Sequence, residues 1–214
     1  MEHTQQVRDL SKYDKGTKNM TGLVIWITGL SGAGKTTLAE EVNFCLQKKN
    51  MYPILLDGDD LRKIFTKGSV GKKLYNRNSR INLALKYGVL CKTLSSQGFT
   101  VIIATISMFN EIYVWNRTNI KNYFEVYLKV PVDELSLRDP KKIYQRYRDG
   151  ELYDVAGLDM TVDEPLSADV IYDFDRQPFL WYSPKNLVNK LMEDLEKKSF
   201  LFDGNIENKM RNKK

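Results

Sequence analysis

The chain has 214 residues, 42% of them hydrophobic and 28% charged, and a formal net charge of +6. That is enough chain for one well-buried domain of ordinary soluble composition, and no apolar run approaches the length of a membrane span. Half of the net charge sits in the last ten residues, where Lys209, Arg211, Lys213 and Lys214 face only Glu207, so a solvated tail accounts for it and nucleic-acid binding is not expected. The single histidine, His3, lies in the polar start, which leaves no His general base, no Ser-His-Asp triad and no His-rich metal site.

Residues 1–21 read as a polar arm without the apolar core of a signal peptide, and a cytoplasmic location is expected. Leu23–Thr28, β-branched and bounded by Gly22, predicts a buried parallel strand. Lys35–Lys49 predicts a helix through Leu38, Val42, Cys45 and Leu46, broken at Tyr52-Pro53. Ile54–Leu56 is a short second strand, followed at once by Asp57-Gly58-Asp59-Asp60-Leu61-Arg62, in which one of the three acids is expected to cap a helix starting near Leu61, with Asp59 and Asp60 the residues placed for it. Lys67–Asn78 reads as a loop and Arg80–Gln97 as a helix whose apolar positions are Ile81, Leu85, Val89, Leu90, Thr93 and Leu94, stopped by Gly98. Thr100–Thr105 is the third strand and leads into Ile106-Ser107-Met108-Phe109. Asn110–Asn122 is helical with Ile112, Trp115 and Ile120 inward, Phe124–Val130 is the fourth strand and Val132–Leu137 a short helix. Residues 138–164, with Arg138, Lys141, Lys142, Arg146 and Arg148, have the length and charge of a basic lid over a nucleotide site. Asp169–Asp173 is the fifth strand, and Leu187, Val188, Leu191, Met192 and Leu195 mark a closing helix. The domain is thus expected over 22–198, followed by a basic tail over 199–214. Cys45 and Cys91 fall within apolar helical patterns and read as buried thiols.

The chemistry concentrates in Gly29-Leu30-Ser31-Gly32-Ala33-Gly34-Lys35-Thr36-Thr37, a Gly, four residues, Gly, Lys, Thr pattern between a strand and a helix. Its glycines let backbone N–H groups turn toward phosphate oxygens, and the helix N-terminus adds its positive end. Lys35 brings a charge to the terminal phosphates of ATP, and the Thr36 hydroxyl is a ligand for Mg²⁺. Strands alternating with helices predict a three-layer α/β/α sandwich of the P-loop NTPase type, with a parallel sheet of about five strands. The third strand carries no acid at its end and no Asn-Lys-x-Asp occurs, which favours a small-molecule kinase over a GTPase. Ligands gather at the carboxyl ends of such strands, so Asp57, Asp59 and Arg62 are site candidates.

The run Gly22 to Thr37 resembles the adenylyl-sulfate kinases, as do Leu56 to Arg62, Ile106-Ser107, Glu125-Val126-Tyr127-Leu128-Lys129-Val130 and Arg138-Asp139-Pro140-Lys141; the likeness runs in order from about Gly22 to Phe174. The resemblance implies transfer of phosphate from ATP, with Mg²⁺, to the 3′-hydroxyl of adenosine 5′-phosphosulfate, giving 3′-phosphoadenylyl sulfate in sulfate assimilation. It implies that Asp57 and Asp59 flank the acceptor, with Asp59 the better candidate to accept the hydroxyl proton. Arg62 would bind the phosphosulfate, Arg77 and Arg80 would add to that site, Ile106-Ser107 would line it, and Lys141 would be a lid cation. Ser107 matches a position known in the family as a phosphoserine; a hydrogen-bonding role near the acceptor is equally open. The partner implied is a small-molecule nucleotide, with no nucleic acid or membrane, and a homodimer is the assembly allowed for.

This sequence also departs from the family pattern. Asp60 stands for an Asn and Met108 for a Pro, the Arg-x-x-Asn-Ile-Arg-Arg run is blurred into Arg77-Asn78-Ser79-Arg80-Ile81, and Val155 falls where the family has a stacking Phe. The ATP side is intact while the acceptor-base side has changed. This resembles a branch found with capsule-sugar genes, which implies a second acceptor, cytidine diphosphoramidate. A non-catalytic nucleotide-binding module is the alternative of another class. Tyr153, Tyr75 and Phe109 are the aromatic residues that could replace the missing stacking ring.

Overall fold

The computed structural model describes residues 21–67, 76–198 and 200. Its centre is a sheet of β1 (Val24–Thr28), β2 (Ile54–Asp57), β3 (Val101–Ala104), β4 (Tyr123–Lys129) and β5 (Val170–Asp173). All pairings are parallel and the order is β2-β3-β1-β4-β5. The register sets Val24 beside both Val101 and Tyr123, and Ile54 beside Val101, so β1 to β4 start level and their carboxyl ends form one edge.

The helices are α1 (Lys35–Lys48), α2 (Gly58–Phe65), α3 (Arg77–Ser96), α4 (Asn110–Asn119), α5 (Val132–Arg138), α6 (Ile143–Arg148) and α7 (Pro184–Lys197). The two-residue side-chain period of a strand sends β1 to both layers. Ile25 and Ile27 join Leu38, Val42 and Leu46 of α1 and Leu187, Leu191 and Leu195 of α7. Val24 and Trp26 join Leu83, Ala84 and Cys91 of α3 and Ile112 of α4. A strand apolar on both faces is what a sheet covered on both sides requires.

Three local expectations change. The helix after β2 begins at Gly58, and its cap is Asp57, whose carboxylate accepts from Asp59 N–H at 2.7 Å. Neither Asp59 nor Asp60 caps it, because the strand delivers Asp57 in the extended conformation a cap needs. Helix α3 begins at Arg77, with the Asn76 side chain accepting from Ser79 N–H at 2.9 Å, so Arg77 and Asn78 are helical. Its buried face is Leu83, Ala84, Tyr87, Gly88, Cys91 and Ser95, whereas Val89 is half exposed and Ile81, Leu85, Leu90 and Leu94 are only partly covered. Gly88 explains this rotation. A β-carbon there would lie 2.7 Å from Asn116 Oδ1 and 2.8 Å from the Trp115 ring, so α3 and α4 touch along this line. Cys91 is buried as expected, while Cys45 is partly exposed. Desolvation pushes the Cys91 thiol up to about 12, which keeps it protonated. Most of the expected N-terminal arm, the expected C-terminal tail, and Tyr75 lie outside the described residues.

Candidate active site

The carboxyl edge of the sheet carries a cavity of about 620 Å³. β1 runs into the loop 29–34, which ends at Gly34 with φ +89, a left-handed conformation at the N-cap of α1 that a side chain resists. The loop and α1 supply Ser31, Gly32, Gly34, Lys35, Thr36 and Thr37 to the cavity wall. The β2–α2 junction supplies Asp57, Asp59 and Arg62. Arg80 comes from α3, Ile106 from the turn after β3, and Lys141 from between α5 and α6. These sequence-predicted residues, more than a hundred positions apart, face one space.

Lys35 donates from Nζ to its own loop at Leu30 O, 2.7 Å. Desolvation first, and the nearby Lys141 ammonium second, lower its pKa to about 8 against the opposing pull of Asp59 and Asp57. Thr36 Oγ1 donates to Asp57 Oδ2 at 2.9 Å while Asp57 Oδ1 holds Asp59 N–H, so the β2 carboxylate ties α1 to α2. The Asp59 carboxylate pairs with Lys141 Nζ at 2.5 Å. Burial alone would raise the Asp59 pKa, but the Lys141 hydrogen bond and the charges of Lys141, Arg62 and Lys35 outweigh it and hold the carboxyl below its usual range. Both partners of that pair are about half exposed, so it is easily exchanged for a ligand and adds little stability.

The basic segment reaches the site through a short scaffold. Asp139 stands at φ +22, and its carboxylate accepts from the N–H groups of Ile143 (2.7 Å), Tyr144 (3.2 Å) and Gln145 (2.8 Å). That fixes the Pro140-Lys141 turn at the start of α6. Tyr144 OH then donates to Ser31 O of the phosphate loop at 2.9 Å. Further on, a β-carbon at Gly157 would lie 2.7 Å from the Leu30 side chain, so this segment rests on the loop.

Five of the predicted residues are not on the cavity wall. Gly29, Leu30 and Ala33 form the loop's frame, with Ala33 fully buried in the core. Arg77 turns away to Glu111 (3.0 Å) and Asp163 (2.7 Å) and packs its guanidinium on the Phe109 ring at 5.1 Å. Ser107 is buried at φ +29, its hydroxyl 2.8 Å from Thr105 Oγ1. Thr28 Oγ1 donates to Ile106 O and holds the same turn. Of the stacking candidates, Tyr153 lines the cavity and Phe109 is buried in the core. Val155 is buried at the cavity wall. The sequence reading assigned no site role to Thr105 or Arg146, which also line the cavity. Thr105 ends an apolar strand and gives no signal; Arg146 was visible only as one of many lid cations.

A phosphate loop after the first strand of a β2-β3-β1-β4-β5 parallel sheet, with an acid at the next strand end and the cations Lys141 and Arg146 on the same cavity wall, defines a P-loop phosphotransferase. The chain belongs to the adenylylsulphate kinase family, whose model matches residues 21–173. It is similar to a cytidine diphosphoramidate kinase of Campylobacter jejuni, 43% identical over 148 residues, or 69% of this chain and 84% of that protein. It is also similar to an adenylyl-sulfate kinase of Pseudomonas aeruginosa, 34% identical over 158 residues, 73% of this chain and 79% of that one. Among solved structures, an APS kinase of Mycobacterium tuberculosis in complex with AMPPNP and APS matches with a TM-score of 0.72 at 27% identity, covering 82% of this chain and 98% of that one. The protein is therefore a kinase of this family, a phosphotransferase that binds small-molecule nucleotides. Among the described residues no helix is long and apolar enough to cross a membrane.

Proposed function

We propose that this chain transfers the terminal phosphoryl group of ATP to a ribose hydroxyl of a nucleotide whose 5′ end is acidic, with cytidine diphosphoramidate the first candidate. The observation that carries the reading is the division of one cavity. Lys35, Thr36 and Asp57 stand on the phosphate-loop side, and Arg62, Arg80, Lys141 and Arg146 add positive charge beyond what the loop itself supplies. A second anionic group opposite ATP uses those cations. The 43% relative favours a cytidine acceptor, and the buried aliphatic Val155 on the wall agrees with a changed base site. The second reading is the 3′-hydroxyl of adenosine 5′-phosphosulfate, favoured by the family match and the 34% relative.

Lys35 leaves Leu30 O to meet phosphate oxygens, and the loop's N–H groups hold them. The Thr36 hydroxyl and Asp57 carboxylate, 2.9 Å apart, are oxygen donors of the kind Mg²⁺ takes when phosphates and water complete its shell. Mg²⁺, when bound, neutralises charge on the phosphate oxygens. Asp59 is the candidate acceptor of the hydroxyl proton, and its depressed pKa keeps it ionised at neutral pH. Acceptor entry frees it from Lys141, which then faces the transferred group. The test is a competition of cytidine diphosphoramidate against adenosine 5′-phosphosulfate at equal concentration, with ATP and Mg²⁺. Higher kcat/KM on the cytidine acceptor is expected. A strong preference for adenosine 5′-phosphosulfate moves the chain to the second reading, and no turnover of either rejects both.

A further inference from the structure

We infer that Tyr87 is a positioning residue for the acceptor: its hydroxyl seats the first turn of α2 and so aims Arg62 into the cavity. The inference rests on the kinase reading above and adds to it a residue of α3 that lies off the cavity wall.

Tyr87 is a phenol where packing alone asks for a hydrocarbon. It is 2% exposed and belongs to the same apolar cluster as Leu61, Leu83, Ala84 and Ile103. A hydroxyl buried in such a place costs stability unless it is bonded. This one donates to Gly58 O at 3.1 Å. Gly58 is the first residue of α2, the helix that carries Asp59 and Arg62. The Arg62 guanidinium comes to the same hydroxyl: burial pushes the phenol up to about 12, and the charge and hydrogen bond of Arg62 pull against it. The phenol is therefore neutral at neutral pH and keeps its proton for Gly58 O.

The seating of α2 explains why this contact governs Arg62. Gly58 and Leu61 are buried, and one turn further on the Phe65 ring lies 6.0 Å from that of Tyr87, so this stripe of the helix rests on α3. Arg62 follows Gly58 by about one turn, so a rotation or slide of α2 carries its guanidinium with it. Two restraints oppose that motion. A β-carbon at Gly58 would lie 2.9 Å from Thr105 Oγ1 and 3.1 Å from Ala104 O, which puts the first turn hard against the end of β3. The Tyr87 hydroxyl holds the same turn from the side of α3. Asp59 has a restraint of its own, since its N–H is held by the Asp57 carboxylate at 2.7 Å. Loss of the Tyr87 hydroxyl is thus felt at Arg62, on the acceptor side, more than at Asp59 or the phosphate loop.

The test uses the full chain with ATP, Mg²⁺ and the better acceptor from the competition. Tyr87→Phe keeps the ring in its packing and removes only the hydroxyl. It is expected to raise acceptor KM about two- to tenfold, the size of one hydrogen bond, with kcat and the KM for ATP within twofold of wild type. Arg62→Ala is expected to raise acceptor KM further. In the Arg62→Ala background, Tyr87→Phe is expected to change acceptor kcat/KM by less than twofold, because the residue it acts through is gone. Calorimetric titration of the acceptor into the enzyme with AMPPNP should show the same pattern in affinity. An acceptor KM less than twofold above wild type in Tyr87→Phe overturns the inference and leaves the kinase reading standing. An equal rise in the KM for ATP, or a fall in kcat at unchanged acceptor KM, also overturns it. So does a loss of full size in the Arg62→Ala background, since Tyr87 would then act on the fold at large. A wild type that neither binds nor turns over any nucleotide acceptor removes the kinase reading itself.

Discussion

Lys35 shows how burial and charge set the behaviour of a single residue. Its surroundings hold the pKa near 8, against 10.5 for a free lysine, so the ammonium is present at neutral pH and fades as pH rises through 8. ATP favours the charged form, so affinity for AMPPNP is expected to fall as pH rises from about 7 to 9, with proton uptake on binding. Calorimetry in buffers of different ionisation enthalpy reads both; a flat profile in wild type, or a falling one in Lys35→Met, would remove the assignment. The sign for stability is opposite. Between 8 and 10.5 the unfolded chain holds a proton that the folded chain has lost, so Lys35 contributes stability that grows with pH across that window. Ser107 is the other instructive residue. Its hydroxyl bonds to Thr105 and is buried off the cavity wall, so Ser107→Ala is expected to cost about 0.5–1.5 kcal/mol of stability and to leave turnover within tenfold of wild type. An inactive, folded Ser107→Ala protein would point instead to a phosphoserine.

Helix α3 makes the case at the scale of an element. Its apolar residues lie nearly all round, so spacing alone does not choose a face. Contact with α4 chooses it, because Gly88 leaves room for the Asn116 and Trp115 side chains, which stand 2.7 and 2.8 Å from where a β-carbon would be. Gly88→Ala sets a methyl group against Trp115 and Asn116 and is expected to destabilise by about 1–3 kcal/mol, as overpacking does. Urea titration measures it, and an unchanged midpoint would mean that the helices separate freely. The basic segment behaves differently. Its lid-like composition was legible, but its attachment was not: Tyr144 and Gly157 fasten it to the loop by contacts with no local pattern.

Across the whole molecule, one buried acid joins distant parts of the chain. Glu125 on β4 is fully buried; it accepts from Tyr123 OH at 2.7 Å and from Arg117 Nη2 of α4 at 3.0 Å. Arg117 also reaches Ser167 O and Asp169, and Asp169 receives Lys198 Nζ at 2.8 Å just beyond α7. Burial pushes the Glu125 carboxyl up, and Tyr123 and Arg117 pull it back in part. Glu125→Ala leaves the Tyr123 hydroxyl and part of the Arg117 charge unanswered and is expected to cost about 3 kcal/mol, read as a lowered denaturation midpoint. A change under about 0.5 kcal/mol would show that water replaces the carboxylate, as at an exposed pair.

The sequence by itself determined the phosphate loop, the order of strands and helices, the parallel sheet and the acid at the end of β2. Those features are local: a glycine spacing, a two-residue or helical period, a residue at a strand terminus. Only the tertiary structure decided which of the many cations serve the cavity. Arg77 and Arg80 stand one turn apart on α3, and by spacing they are equivalent. Yet Arg77 is claimed by Glu111 and Asp163, 34 and 86 positions away, while Arg80 faces the cavity. The same holds for Tyr153 against Phe109, one ring at the wall and the other in the core. A charge or a ring takes its role from its neighbours, and neighbours from distant segments arrive only when the sheet and its two helical layers close.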